Sequence, residues 1–319
     1  MTSPQHKIGS GFGRDTTAAE VLKGVDLAGR LAVVTGGYSG LGLETTRALS
    51  DAGADIIVGA RRPDTARAAV DGIDRVELSE LDLSDLDSVA GFADGILDGG
   101  RGIDLMINSA GIMACPEARV GDGWESQFAT NHLGHFALVN RLWPALRPGS
   151  RVVAVSSAAH RMSGIRWDDI HFTADAYDRW LAYGQSKTAN ALFALELDRR
   201  GEAAGVRAFS LHPGGILTPL QRHMSEADKR DLGWVDENGN ARPELQFKTP
   251  EAGAATQVWA ATSPRLDGMG GVYCEDCDIA EPAVQEGARG GVHAHATDPE
   301  QAARLWELSA ELTGVDAFA

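Results

Sequence analysis

The chain has 319 residues, 43% hydrophobic and 23% charged, enough for one large core within the length of a single α/β domain. A formal net charge of −16 repels phosphate, so no nucleic-acid partner is expected, and any anionic ligand needs a local basic or backbone site. No run of about 18 apolar residues occurs and residues 1–15 hold no signal-peptide core, so no membrane insertion and a cytoplasmic location are expected, while three cysteines (Cys115, Cys274, Cys277) are too few for a disulfide framework.

Residues 1–29 are Gly- and Thr-rich with one short helical candidate, TTAAEVLKGV, and are expected to form an arm lying against the domain, which then runs from 30 to 319. The first apolar run, RLAVVT (30–35), reads as a buried strand. It is followed by LGLETTRALSDAG, in which Leu41, Thr45, Ala48 and Leu49 share a helical face and Gly53 marks the stop. Further strand candidates are ADIIVGA (54–60), a third strand before Asp82, IDLMINSAG (103–111), SRVVAVSS (150–157) and GVRAFSLHPG (205–214). Long helices are expected over 122–146 and 178–200. Apolar strands alternating with helices predict an α/β fold with a doubly wound parallel sheet of Rossmann type in a single domain. Residues 219–248 are polar, carry the turn signal NGN and lack a strand, and are expected to be a mobile substrate lid anchored by Leu220, Met224, Leu232 and Trp234.

The chemistry concentrates at strand ends. TGGYSGLG (35–42) leads from the first strand into a helix, and its glycines let the backbone approach a pyrophosphate at the helix N-terminus. Tyr183 and Lys187, at i and i+4 on one helix face, can serve one site; a nearby ammonium favours the phenolate, so Lys187 is expected to lower the pKa of Tyr183. Ser156 and Ser157 end a strand, where successive side chains alternate, so only one can reach the site.

The spacing T-G-x-x-x-G-x-G resembles the short-chain dehydrogenase/reductase superfamily. Asp82-Leu83, NSAG (108–111), Asn131 in ATNHLGHF and Tyr183-Gly-Gln-Ser-Lys187 match its pattern in order. The likeness runs from about Gly29 to Thr218 and takes in LHPGGILT. SSAAHR, AYGQSKTAN and TTAAEVLKGVDLAGR resemble the retinol-dehydrogenase-like and WW-domain-oxidoreductase-like branch. The resemblance implies an NAD(P)-dependent oxidoreductase with a catalytic group of Asn131, Ser157, Tyr183 and Lys187. Tyr183 transfers the proton, Ser157 binds the substrate oxygen, Lys187 holds the nicotinamide ribose and Asn131 helps hold a relay water. It implies cofactor contacts from Gly36, Tyr38, Ser39, Gly40, Leu41, Gly42, Arg61, Arg62, Asp82, Leu83, Asn108, Ala110, Gly111, Tyr183, Lys187, Pro213, Gly214 and Thr218. A homodimer or homotetramer, built through helices 122–146 and 178–200, is expected on the same ground.

Ser157 and Tyr183 stand 26 positions apart, a wide interval that the retinol-dehydrogenase-like branch shares; the segment between carries Trp167, Phe172, Tyr177 and Trp180. After the second strand the usual acid position holds Ala60, followed by Arg61 and Arg62. A guanidinium fork suits a 2′-phosphate, so NADP is preferred and NAD is the alternative. Cys274, Cys277, His293 and His295 match no standard zinc spacing, and His132 with His135 lacks a third ligand, so no metal is expected. The aromatic segment, with Leu217, Leu220 and Met224, points to a lipophilic alcohol or ketone of retinoid, steroid or fused-ring type. The competing readings are a catalytically silent dinucleotide sensor or scaffold, which would not need the proton-transfer group, and an epimerase or dehydratase, which has a different glycine spacing.

Overall fold

The computed structural model describes residues 4–284 and 290–319. Strands β1 (Leu31–Thr35), β2 (Asp55–Ala60), β3 (Val76–Glu80), β4 (Ile103–Asn108), β5 (Leu146–Val155), β6 (Arg207–His212), β7 (Val272–Glu275) and β8 (Asp278–Ile279) form one sheet. Their order is β8-β7-β6-β5-β4-β1-β2-β3, parallel throughout except for β8. Every residue of β1 and β4 is buried, as expected when helices cover both faces of a parallel sheet.

Alternation along β1 divides the core. Ala32 and Val34 pack with Leu49 of α1 (Gly40–Asp51) and Val258 and Trp259 of α6 (Pro250–Thr262). Leu31 and Val33 pack on the other face with Phe92 of α3 (Leu86–Asp98), Phe136 of α4 (Gly134–Leu142), Phe193 of α5 (Arg179–Gly201) and Trp306 of α7 (Pro299–Thr313). The short α2 (Pro63–Val70) joins β2 to β3. Because β1 lies between β2 and β4, the winding reverses there and opens a crevice at the carboxyl ends of the strands.

Several boundaries differ from the sequence expectation. Residues 119–125 form a small hairpin, Arg119–Val120 with Trp124–Glu125, so the helix expected from 122 starts at Ser126. It passes through a π-turn at Ala129–Leu133 before α4. Strand β5 begins at Leu146, which pairs with Ile103 ahead of an irregularity, and ends at Val155, leaving both serines beyond it. Helix α5 is buried from Ala182 through Asp198 within the single chain, and Trp306 of α7 stacks on Phe193 at 5.9 Å. The chain's own C-terminal helix occupies that surface.

Residues 5–10 run along the sheet edge, where the Gln5 side chain bonds the backbone of Tyr273 and Ala280 and the N–H groups of Ile8, Gly9 and Ser10 reach the Asp278 carboxylate. Residues 219–248 carry 3-10 turns at Pro219–His223 and Pro243–Leu245 and a helix at Glu226–Asp231, capped by Ser225. The turn signal NGN is closed by Asp236, which accepts from the N–H of Asn238 and Asn240. No helix among the described residues is long and apolar enough to cross a membrane.

Candidate active site

A cavity of about 610 Å³ opens at the carboxyl ends of β1, β4, β5 and β6. The loop after β1 forms one end. Gly36 has φ +67°, and a Cβ there would come within 3.0 Å of the Ala110 Cα; a Cβ on Gly42 would collide with the Gly36 carbonyl oxygen. Only glycine lets this loop fold so tightly against the NSAG segment. Ser39 precedes α1 without a side-chain cap bond, leaving backbone N–H groups of the first turn for an anion at the helix N-terminus. Thr218 closes over Gly40, with its Cβ 3.4 Å from where a Gly40 Cβ would stand.

At the other end α5 carries Tyr183 and Lys187. Asp178 caps the helix by accepting from Trp180 and Leu181 N–H, which sets the turn holding Tyr183 and Lys187. The Tyr183 phenol and Ser157 line the cavity together, and Ser157 favours the phenolate. Lys187 Nζ donates to the Val155 carbonyl at 3.0 Å and lies 5.6 Å from the Tyr183 ring centre. Ser156 turns the opposite way and donates to the Lys187 carbonyl at 2.6 Å. Asn131, within the π-turn, accepts from Ile112 N–H and donates to the Ile112 carbonyl and to Ser186 Oγ, all at 2.9 Å. His135 holds its backbone: Nδ1 donates to the Asn131 carbonyl at 2.9 Å, and Nε2 accepts from Thr35 Oγ1 at 2.8 Å, whose oxygen also receives the N–H of Ser109 and Ala110. A carbonyl only accepts, so this chain of bonds fixes the imidazole tautomer.

Burial, rather than Lys187, sets the titration of Tyr183, contrary to the sequence expectation. Desolvation pushes the phenol up to about 12 against the opposing effect of Ser157, and it pushes Lys187 down to about 8. At neutral pH the tyrosine is therefore a proton donor and the lysine mainly an ammonium. His212, another cavity residue, is driven down to about 3 by burial, and its Nδ1 accepts from Ala158 and Gly214 N–H.

Of the expected site residues, Gly36, Tyr38, Ser39, Gly40, Leu41, Gly42, Arg61, Arg62, Ala110, Gly111, Ser157, Tyr183, Lys187, Pro213, Gly214 and Thr218 all line the cavity. Asp82, Leu83 and Asn108 do not. The Asp82 carboxylate accepts from Ser84 N–H and Oγ in its own turn, Leu83 is buried in the core, and the Asn108 side chain is buried without a hydrogen-bond partner among the described residues. Asn131 stands one layer back, against Gly111. Sequence reasoning missed Met113, Met162, His212, Arg222 and Phe247, which meet here from separate segments. Of the aromatic segment only Trp180 reaches the cavity. Trp167 packs with Trp124 and Phe128, Phe172 lies under Arg166, and Tyr177 donates to Glu125. Leu217 and Leu232 are exposed rather than anchoring the wall, whereas Leu220 and Trp234 line it and Met224 is buried beside it.

Among the described residues no group of three or more His, Cys, Asp or Glu side chains converges as a metal site. Cys274 and Cys277 are buried free thiols, His132 bonds Ser309, and His295 bonds the His160 carbonyl.

The family model described as short chain dehydrogenase matches residues 30–229. A protein of Streptomyces antibioticus named probable oxidoreductase is 48% identical over 298 residues, 90% of this chain and 98% of its own. Human retinol dehydrogenase 11 is 34% identical over 299 residues, 91% of this chain and 88% of its own. The crystal structure of an uncharacterized protein from Mycobacterium paratuberculosis superposes with a TM-score of 0.73 at 38% identity, covering 96% of this chain and 99% of that one.

Proposed function

Since the chain belongs to the short-chain dehydrogenase/reductase superfamily, in its retinol-dehydrogenase-like branch, and is an NAD(P)-dependent oxidoreductase, we propose that it is an NADP(H)-preferring carbonyl reductase for lipophilic aldehydes or ketones. The observation that carries this reading is that Ser157, Tyr183 and buried Lys187 meet at the junction of a glycine-lined cleft and an apolar wall.

The residues present fit the dinucleotide. Backbone N–H groups after β1 suit its pyrophosphate, and Arg61 with Arg62 follows a β2 that ends in Ala60 rather than an acid, as a 2′-phosphate requires. When bound, the reduced nicotinamide supplies the hydride. The chain supplies the rest: Ser157 donates a hydrogen bond to the carbonyl oxygen, Tyr183 gives it a proton, and Lys187 keeps a positive charge beside the phenol and holds the ribose. Met113, Trp180, Leu220, Trp234 and Phe247 form an apolar wall for the body of the substrate, and residues 219–248 act as its lid. If the enzyme assembles as a homodimer or homotetramer, the contacts lie away from the α4 and α5 faces that α7 covers.

Replacing both Arg61 and Arg62 by Ala should raise the Kd for NADPH roughly 10- to 100-fold and change that for NADH by less than about threefold, because charge-assisted bonds to phosphate are worth about 1.5–3 kcal/mol. Equal losses for the two cofactors in fluorescence titrations would refute the NADP preference.

A second test is the pH profile. Lysine is charged below its pKa, so with Lys187 at about 8 and Tyr183 still protonated, kcat/KM for reduction should be level through neutral pH and fall as pH rises through about 8. Lys187→Arg should move that fall upward, because guanidinium does not titrate there. A wild-type profile flat to pH 10 would reject the role given to the ammonium.

A further inference from the structure

The cavity has a charge pattern opposite to that of the chain. The sequence carries 45 Asp and Glu against 29 Lys and Arg, yet among the described residues no Asp or Glu lines the cavity, and its charged lining consists of Arg61, Arg62, Lys187 and Arg222. The first three belong to the cofactor half described above. Arg222 does not. It is exposed on the 3-10 turn Pro219–His223, and its guanidinium donates to the carbonyl of Pro219, in its own turn, at 3.3 Å. Among the described residues it has no carboxylate partner, while its neighbours Arg179 and Lys229 pair with Asp228 and Glu226.

The location of that charge is given by its turn. Arg222 lines the cavity two residues after Leu220 on the same 3-10 turn, and Leu220 packs with Met113, Met224, Trp180 and Trp234. That side holds the apolar wall of Met113, Trp180, Leu220 and Trp234, whereas the paired arginines Arg61 and Arg62 follow β2 beside the glycine loop. An exposed cation at the mouth of an apolar pocket, in a chain whose field repels anions, is a local exception that selects for an anion.

We propose that Arg222 is a specificity-determining residue that binds an anionic group on the substrate, so that the preferred substrate is an amphipathic carbonyl compound with an apolar body and a carboxylate at the end remote from the reacting carbon. The proposal deepens the carbonyl-reductase reading and rests on it. The apolar wall takes the body, Tyr183 and Ser157 take the carbonyl oxygen, and the planar guanidinium takes the carboxylate by a two-point bond at the water boundary.

A medium-chain ω-oxo fatty acid and its methyl ester test this, since they share body and reacting carbon and differ in charge. Binding to the enzyme with NADPH is read by quenching of tryptophan fluorescence, and turnover is read separately. The wild type should bind the acid at least tenfold more tightly than the ester. Arg222→Gln should remove that preference and leave the ester unchanged, and Arg222→Lys should keep part of it. Raised ionic strength should weaken binding of the acid to the wild type and not to Arg222→Gln. No preference for the acid in the wild type, no binding of either probe, or a preference that survives in Arg222→Gln overturns the proposal. So does a loss of NADPH affinity in Arg222→Gln equal to the loss for the acid, which would place the arginine in the cofactor site. Charge-selective binding with no turnover of either probe would instead count against the carbonyl-reductase reading and leave the role of Arg222 supported.

Discussion

Tyr183→Phe is expected to lower kcat for carbonyl reduction by roughly 100- to 10,000-fold while leaving NADPH affinity within about twofold of wild type. The change removes one oxygen and keeps the ring, which is buried with Met113, Ala159 and Met224. Folding should survive, because losing one buried hydroxyl costs about 1 kcal/mol. The barrier changes far more, since each tenfold in rate is about 1.4 kcal/mol and the phenol shares the cavity with Ser157 and Lys187 as the proposed proton donor. Stopped-flow measurement of NADPH oxidation with a saturating lipophilic aldehyde, beside a cofactor titration, separates the two quantities. A variant that keeps more than about a tenth of the wild-type rate would show that another group delivers the proton.

That argument relies on residues that were readable in the sequence, and the reason is physical. Parallel strands buried on both faces are mostly apolar, so LAVVT and IDLMIN announce themselves despite the buried Thr35, Asp104 and Asn108, and the glycines after β1 are demanded by a loop that leaves little room for a Cβ. The i, i+4 spacing of Tyr183 and Lys187 carries over unchanged because it depends only on helix geometry. Helix α6 was invisible for the opposite reason: residues 252–261 are all buried, so no polar face gives a period to detect. Strands β7 and β8 are too short to show alternation, and the hairpin at 119–125 depends on Gly121 and Gly123 adopting φ of +52° and +94° inside a stretch that reads as helix.

The candidate site divides along the same line. Its cofactor half is built from loops that directly follow strands, so motif order places most of it. The substrate half was legible only in part: Trp180, Leu220 and Trp234 lie in segments the sequence singles out, but Met113, Met162, Arg222 and Phe247 come from distant segments that meet only through tertiary packing. The titration of Tyr183 was misjudged because spacing reveals the neighbouring charge but not the depth of burial, and desolvation is the larger effect.

Replacing residues 226–244 by a short glycine-serine link is expected to raise KM for a bulky apolar aldehyde roughly 10- to 30-fold and to change the Kd for NADPH by less than about twofold. The segment contributes Trp234, whose ring lies 6.2 Å from that of Trp180 and 6.2 Å from that of Phe247, so its loss strips one side of the apolar wall. An aromatic side chain covering a ligand removes on the order of 80 Å² of apolar surface from water, which at about 25 cal/mol per Å² is near 2 kcal/mol, or about thirtyfold in affinity. The cofactor half keeps its contacts, because Thr218 and the loop after β1 precede the deletion. The deletion also removes Asp228, the partner of Arg179 in the first turn of α5, one turn ahead of Tyr183. Two point variants separate these effects. Trp234→Ala should reproduce most of the rise in KM with kcat nearly constant, as expected for lost substrate binding, whereas Asp228→Asn should act on kcat by loosening the start of the catalytic helix. Closure of a lid also excludes water, so the truncated enzyme should lose discrimination between bulky apolar and small polar aldehydes. Unchanged KM for every aldehyde in both the truncated enzyme and Trp234→Ala would show that 219–248 is a surface loop with no part in binding.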